Sequence, residues 1–118
     1  MGNYMELIVW NKSVDLVTEI YSVTTIFPKE ELYGLTSQIR RASISVPSNI
    51  AEGHSRRSTS DYLQFLKIAR GSCAELETQL IISKNLSYLS SEKFKILIEK
   101  TSEISKMLNA IITKLQTP

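Results

Sequence analysis

The 118-residue sequence predicts an all-α protein, an antiparallel up-down-up-down four-helix bundle. Three observations support this fold class. Four segments repeat apolar residues at intervals of three and four, no segment alternates with the period of a strand, and only short connections separate the four segments. One such set of helices fits a single domain, which is expected to span residues 1–118.

The first helix is predicted over about residues 9–26, because apolar side chains recur there with helical spacing. It ends at Phe27, since the residue before Pro28 is driven out of the helical conformation. One face is predicted to carry Trp10, Val14, Val17, Tyr21 and Thr24, with Leu16 and Ile20 beside it.

The second helix is predicted over about residues 35–52. Pro47 has no N–H to donate to the carbonyl of Ser43, so a kink or a break into two helices is expected there. Gly53 is expected to terminate the helix. The predicted core stripe is Leu35, Ile39, Ala42, Val46 and Ile50.

The third and fourth helices are predicted over about residues 60–85 and 91–115. Ser58, three residues before Asp61, resembles a capping box, and Ser90 is placed to cap the fourth helix. The main stripe of the third helix is Tyr62, Phe65, Leu66, Ala69, Cys73, Leu76 and Leu80. The heptad seam of the fourth is Phe94, Leu97, Thr101, Ile104, Leu108, Ile111 and Leu115.

Residues that commonly carry catalysis are few. Cys73, the only cysteine, lies on an apolar stripe and is interpreted as a small core residue. His54, the only histidine, lies in a predicted loop, so no cluster of metal ligands is expected. There is no phosphate-binding glycine loop, nucleophile elbow or pair of catalytic carboxylates. The sequence therefore predicts a non-enzymatic protein without cofactor or metal, and its cysteine usage favours a cytoplasmic location.

Arginine is concentrated in one segment. All five arginines lie between positions 40 and 70, and residues 36–70 carry six positive and two negative side chains, although the whole chain is only +2. The planar guanidinium fork binds phosphates and carboxylates directionally. Two interpretations stay open: these arginines bind a ligand, or they pair with Glu52, Glu75 or Glu77 and hold the fold together.

Two surfaces are not explained by the predicted core. The second helix has a polar stripe without lysine, which is either an ordinary solvated face or a set of directional hydrogen-bonding groups. This stripe is Gln38, Arg41, Ser45, Ser48, Asn49 and Glu52. Aliphatic side chains that point away from the core predict contact with another subunit. They are Leu63, Ile68, Ile81 and Ile82 on the third helix and Ile44 on the second.

The run from Tyr33 to Gly53 resembles a known family, and Asn49-Ile50-Ala51-Glu52-Gly53 followed by Arg56 is its most recognisable motif. Segments 7–10, 20–21, 27–28 and 65–72 and Glu75 extend the likeness. Over about residues 5–115, the chain resembles the four-helix-bundle proteins encoded in intervening sequences of bacterial 23S rRNA genes, sometimes labelled a ribosomal protein family. The resemblance implies an antiparallel bundle that assembles into a ring-like homopentamer.

The chain is also similar to the accessory protein of diversity-generating retroelements, a pentameric bundle that binds nucleic acid and a reverse transcriptase through a basic surface. One departure from the family is Ser87, in the turn after the third helix, where members often carry glycine.

Two functions are predicted. The first is an oligomer that binds RNA or DNA, with phosphate contacts from Arg40, Arg56, Arg57, Lys67 and Arg70. The alternative is a homo-oligomeric protein-interaction scaffold without nucleic-acid binding. An oligomer or structural polar network is predicted for Gln38, Arg41, Asn49, Glu52 and Glu75. The expected partners are further copies of the chain, RNA or DNA, and a protein partner, with no membrane.

Overall fold

The computed structural model describes residues 3–117, which form four α-helices. These are α1 (Ile8–Thr24), α2 (Leu35–His54), α3 (Thr59–Asn85) and α4 (Ser91–Gln116), with short 3-10 turns at Tyr4–Glu6 and Lys29–Glu31. No strand occurs within residues 3–117. Because α1 packs on α2, α2 on α3, α3 on α4 and α4 on α1, the predicted all-helical bundle is confirmed.

All four helices contribute apolar side chains to one core. The predicted stripes of α2, α3 and α4 supply most of it, because residues three and four apart share a helix face. The largest fully buried aliphatic side chains include Ile39 and Ile50 of α2, Leu66, Leu76 and Leu80 of α3, and Leu97, Ile104 and Leu108 of α4. In the last turns of α4, Ile112 is buried and the predicted Ile111 is only half-buried.

The buried face of α1 differs from the predicted one. It consists of Val9, Ser13, Leu16, Ile20 and Thr24. Trp10, Val14 and Val17 are only half-buried, and Tyr21 is exposed. Thr24 belongs to both faces, and the predicted neighbours Leu16 and Ile20 are buried. Both faces carry several apolar side chains at helical spacing, so the period alone does not say which one faces the core. That choice depends on where α2 and α4 lie.

The helix α2 corrects two expectations. It continues through Pro47 to His54, so the break into two helices does not occur. Gly53 lies inside α2, and its predicted role as the terminator is wrong. A Cβ atom at Gly53 would lie 2.6 Å from Cβ of Phe65 and 3.0 Å from Cδ1 of Tyr62. The glycine therefore allows α3 to approach α2 closely.

Serine side chains cap the starts of α3 and α4, as predicted. The Ser58 hydroxyl accepts a hydrogen bond from the backbone N–H of Asp61 at 3.1 Å. The Ser90 hydroxyl accepts one from the backbone N–H of Lys93, also at 3.1 Å. Each bond satisfies a backbone donor that has no partner within its helix.

The turn that ends α3 uses Ser87 in a left-handed conformation, with φ of 64°. The Ser87 N–H donates to the carbonyl of Lys84, and the Tyr88 N–H donates to the carbonyl of Ser83, both at 2.9 Å. This pair of bonds is a Schellman motif, in which glycine usually occupies the left-handed position. Ser87 thus adopts a backbone conformation that glycine would take without strain.

Candidate nucleic-acid interface

The connection between α2 and α3 presents two adjacent arginines. Arg56 follows directly on the end of α2, and its Nη2 lies 3.0 Å from Oε2 of Glu52, one helical turn earlier. Its guanidinium carbon also lies 5.0 Å from the centre of the Phe65 ring, in a cation–π arrangement. Arg56 is therefore positioned by one residue of α2 and one of α3.

Arg57 is exposed, and it makes no ion pair within 4.0 Å and no side-chain hydrogen bond to any described residue. It directly precedes Ser58, the residue that caps α3. The start of a helix carries a partial positive charge, so the field there adds to that of the two arginines. This end of the bundle is suited to an anionic group.

Arg40 is placed differently. Its Nε donates to the Thr24 hydroxyl at 2.9 Å, and its guanidinium carbon lies 4.5 Å from the centre of the Tyr21 ring. The side chain is half-buried between α1 and α2. Its hydrogen bond satisfies the Thr24 oxygen at the end of α1, so Arg40 has a structural contact beside its predicted role as a phosphate ligand.

The remaining two predicted phosphate ligands lie on α3. Lys67 is exposed on its outer side. Arg70 is half-buried, and its Nη1 donates to Oδ1 of Asn109 on α4 at 2.9 Å. The structure thus distributes the five predicted ligands over the α2–α3 connection, the contact between α1 and α2, and the α3–α4 side. It does not gather them into one cluster.

The predicted polar network is also divided. Asn49 Nδ2 donates to the carbonyl and the hydroxyl of Ser45, at 2.8 and 2.9 Å, and the Ser72 hydroxyl donates to the Ser45 hydroxyl at 2.8 Å. This chain of bonds joins α2 to α3. Glu52 instead pairs with Arg56.

The other three predicted members of the network, Gln38, Arg41 and Glu75, are exposed. Within residues 3–117 their side chains make no hydrogen bond or ion pair with another described residue. Their assignment to a network therefore stays a prediction about an assembly of several chains.

Two residues that the sequence did not single out complete these contacts: Ser72 and Asn109. Ser72 is a small polar residue directly before Cys73 of the predicted apolar stripe of α3. Its position is a weak signal for a hydrogen bond between helices. Asn109 lies 39 residues from Arg70, and nothing local in the sequence links the two.

Cys73 is buried in the core. Burial, with a smaller contribution from the charge of Glu77, raises the pKa of its thiol to about 12. The thiol is therefore protonated and unreactive at neutral pH. Among residues 3–117 no group of three or more His, Cys, Asp or Glu side chains is arranged to hold a metal ion. No helix in that part of the chain is long and apolar enough to cross a membrane.

Residues 5–110 match the family model described as 23S rRNA-intervening sequence protein. The chain belongs to this family. The fold agrees with the crystal structure of a protein with unknown function from the S23 ribosomal protein family of Bacteroides thetaiotaomicron VPI-5482, with a TM-score of 0.83 at 25% identity. That likeness covers 89% of this chain and 98% of the other. No curated protein matches the chain.

The motif from Asn49 to Gly53 has a physical explanation. Asn49 bonds back to α2, Ile50 fills the core, Glu52 holds Arg56, and Gly53 lets α3 approach. The motif thus sets the geometry of the α2–α3 contact and of the connection that carries the arginines.

Proposed function

We propose that this protein is a non-enzymatic homo-oligomer that binds RNA or DNA through phosphate contacts. The observation that carries the proposal is the pair formed by Arg56 and Arg57. Glu52 and Phe65 position Arg56, while the exposed Arg57 has no anionic partner among the described residues. Neutralising the charge of a phosphate releases condensed counterions, so such an arrangement favours nucleic acid.

Binding of this kind is sensitive to salt and weakly selective for sequence, because phosphate contacts position a protein without reading bases. Lys67 is proposed as a further contact because it is exposed on the side of α3. Arg40 and Arg70 have partners within the chain, Thr24 and Asn109, so their contribution to phosphate binding is expected to be smaller.

We infer that the bundle has an antiparallel up-down-up-down order. Ser45 of α2 contacts Ser72 of α3. Gly53, which comes later in α2, lies against Phe65, which comes earlier in α3. The two helices therefore run in opposite directions. The same reversal of residue order is found in the contacts between α3 and α4 and in those between α1 and α4. One shared core also supports a single domain over residues 1–118, of which residues 3–117 are described.

The oligomer is proposed because several aliphatic side chains remain exposed on the outside of the helices. They include Ile44 on α2 and Ile68, Ile81 and Ile82 on α3. A ring of five copies, the assembly that the family resemblance implies, would repeat the arginine-bearing segment around an axis and strengthen the field that attracts a polyanion. A cytoplasmic location, without membrane attachment, is part of the same proposal.

A protein-interaction scaffold without nucleic-acid binding is the second candidate. It is favoured by the intrachain partners of Arg40, Arg56 and Arg70, which leave only part of the predicted basic surface available. In that case the exposed Arg57 would bind an acidic group of a protein partner.

The test measures binding of a fluorescently labelled RNA hairpin by anisotropy at several salt concentrations, with light-scattering mass measured in parallel. The Arg57→Ala variant should bind more weakly and lower the slope of log affinity against log salt by about 1 for each copy whose Arg57 contacts the RNA. The control, Lys95→Ala, removes an exposed cation of α4 and should behave like the wild type. Wild-type RNA binding that does not change with salt, or no binding at all, would reject the proposal in favour of the scaffold.

A further inference from the structure

The helix α1 carries a second apolar stripe, which the bundle leaves partly uncovered. Trp10, Val14, Val17 and Tyr21 recur at intervals of four, three and four, the spacing of a helix-packing seam. The core uses the other face of α1, so the first three are half-buried and Tyr21 is 39% exposed. Ile44 of α2, 40% exposed, comes one turn after Arg40, which contacts Tyr21. The inferred antiparallel order then places Ile44 near the level of Val17.

The rings at the two ends of this stripe are held in place. Tyr4 packs edge-on against Trp10 with a centroid distance of 5.3 Å, and Arg40 lies over the ring of Tyr21. The stripe is thus ordered before any partner arrives, which lowers the entropic cost of association.

The outer side of α3 also carries residues at helix-packing intervals, here called the α3 seam, and unlike the α1 stripe it contains a gap at a glycine. Ile68, Gly71, Glu75, Thr78 and Ile82 recur at intervals of three, four, three and four. Ile68 is 50% and Ile82 is 42% exposed. A Cβ atom at Gly71 would meet no described residue within 4 Å, so nothing in residues 3–117 occupies the space that this glycine leaves. An exposed glycine inside a helix costs about 1 kcal/mol relative to alanine.

We infer that the α3 seam of one copy docks on the α1 stripe of the next copy. The inference rests on the proposed oligomer and names the surfaces that build it. The seams have comparable lengths, about 17 Å from Trp10 to Tyr21 and about 21 Å from Ile68 to Ile82 at 1.5 Å per residue. The gap over Gly71 accepts the bulk of Val14 and Val17, as a hole accepts a knob.

Charge supports this pairing. Glu75 on the α3 seam has no cationic partner within 4.0 Å among the described residues, and Arg41, on the helix beside the α1 stripe, has no anionic one. Docking brings together a face with an unpaired carboxylate and a face with an unpaired guanidinium. An α3–α3 contact about a twofold axis would instead bring two Glu75 side chains to one interface and leave the α1 stripe uncovered.

The contact is heterologous, because each copy offers two different surfaces. α1 and α3 are not neighbours within the described bundle, so one copy can use both surfaces at once. Repetition of a heterologous contact closes into a ring when the rotation allows it.

The test uses one variant for each surface and measures mass by light scattering. Val14→Lys places a charge in the α1 stripe, and Gly71→Leu fills the gap on α3. Each variant alone should be monomeric, with the dissociation constant raised by about a hundredfold or more. Each still retains one intact surface, so an equimolar mixture should form a heterodimer and nothing larger. The control, Ser22→Lys, changes an exposed residue of α1 outside the stripe and should assemble like the wild type.

Circular dichroism checks that both variants keep their helices, and Tyr21→Ser replaces Val14→Lys if the lysine unfolds the chain. Either surface variant retaining the wild-type mass, or a mixture that stays monomeric, would overturn the inference while leaving the oligomer in place. A monomeric wild type would reject the oligomer of the proposed function as well.

Discussion

The contact between α2 and α3 and the contact between α1 and α4 are built in opposite ways. α2 and α3 meet through small residues, with Gly53 against Phe65 and the hydroxyls of Ser45 and Ser72 at 2.8 Å. Between α1 and α4 lies a groove of about 400 Å³ that Leu16 and Ile104 help to line.

Charged side chains bridge that groove in both directions. Lys12 of α1 lies 3.3 Å from Glu103 of α4, and Lys100 of α4 pairs with Glu19 of α1. More than a third of each of these four side chains is exposed to water, so solvent and salt weaken the pairs. The close contact therefore determines the geometry of the bundle more strongly than the bridged one. It also supplies Glu52 and Phe65, which position Arg56.

The largest expected effect comes from filling the space between α2 and α3. In Gly53→Ala, the new Cβ would overlap with Cβ of Phe65, which cannot rotate away, so the two helices must separate. The free energy of unfolding should fall by about 2 kcal/mol, the net of overpacking and the better helix propensity of alanine. Urea unfolding followed by circular dichroism measures it.

Gly71→Ala is the matched control, because it makes the same change in α3 at a position where no described residue lies within 4 Å of the new Cβ. It should raise the free energy of unfolding of the dissociated chain by up to about 1 kcal/mol. Both variants are compared at a protein concentration at which light scattering shows monomers. If the two changes had the same sign, the close approach at Gly53 would not be limiting.

The next effect tests whether water is excluded from the core around Cys73 of α3. Burial raises the pKa of Cys73 to about 12 from an ordinary value of 9.0, so the folded state keeps the proton that the unfolded state loses. Stability is unaffected below the ordinary pKa and falls as the pH rises towards the folded one. At about pH 10 the loss should be between about 1 and 2 kcal/mol.

Cys73→Ala removes this titration, and the difference between its pH dependence and that of the wild type isolates the thiol. Unfolding free energies at about pH 7 and about pH 10 are sufficient. The wild type should lose between about 1 and 2 kcal/mol more than the variant over that interval. An equal loss in both proteins would mean that water reaches the thiol.

A smaller change is expected at the hydroxyl bridge of the close contact. Ser72→Ala removes the donor to Ser45, and the free energy of unfolding should fall by about 1 kcal/mol. The control is Ser48→Ala, at an exposed position of the polar stripe of α2 that also contains Ser45. It should change stability by less than about 0.5 kcal/mol. Thermal unfolding of the two variants side by side would show the difference, and equal midpoints would contradict a stabilising bridge.

The sequence predicted the helices well because their ends depend on local signals. Pro28, Ser58 and Ser90 each fix an end within a few residues of its position. It failed where tertiary contacts choose between local options. α1 has two apolar stripes, and only its neighbours decide which one is buried. From its neighbours in sequence, Gly53 predicts the end of a helix, whereas in the structure it leaves room for side chains of α3.

The candidate site shows the same limit. Arg56 and Arg57 were expected in an exposed connection, and the structure places them there. The partner of Arg56, Glu52, lies only four residues earlier in the chain, within reach of sequence reasoning. The partner of Arg70 is on another helix, 39 residues away, so its contact with Asn109 could not be read from spacing.

The smallest expected effect lies at the bridged contact between α1 and α4. A double-mutant cycle with Lys12→Ala and Glu103→Ala should give a coupling free energy of about 0.3 kcal/mol, because both side chains remain hydrated and lose rotamer freedom when they pair. That coupling should vanish at about 1 M salt, where the screening length is about 3 Å. The loss from Ser72→Ala should persist in the same salt, since a hydrogen bond between two neutral hydroxyls is not screened. A coupling above about 1 kcal/mol that survived salt would mean that the charged bridge orders the bundle as strongly as the close contact does.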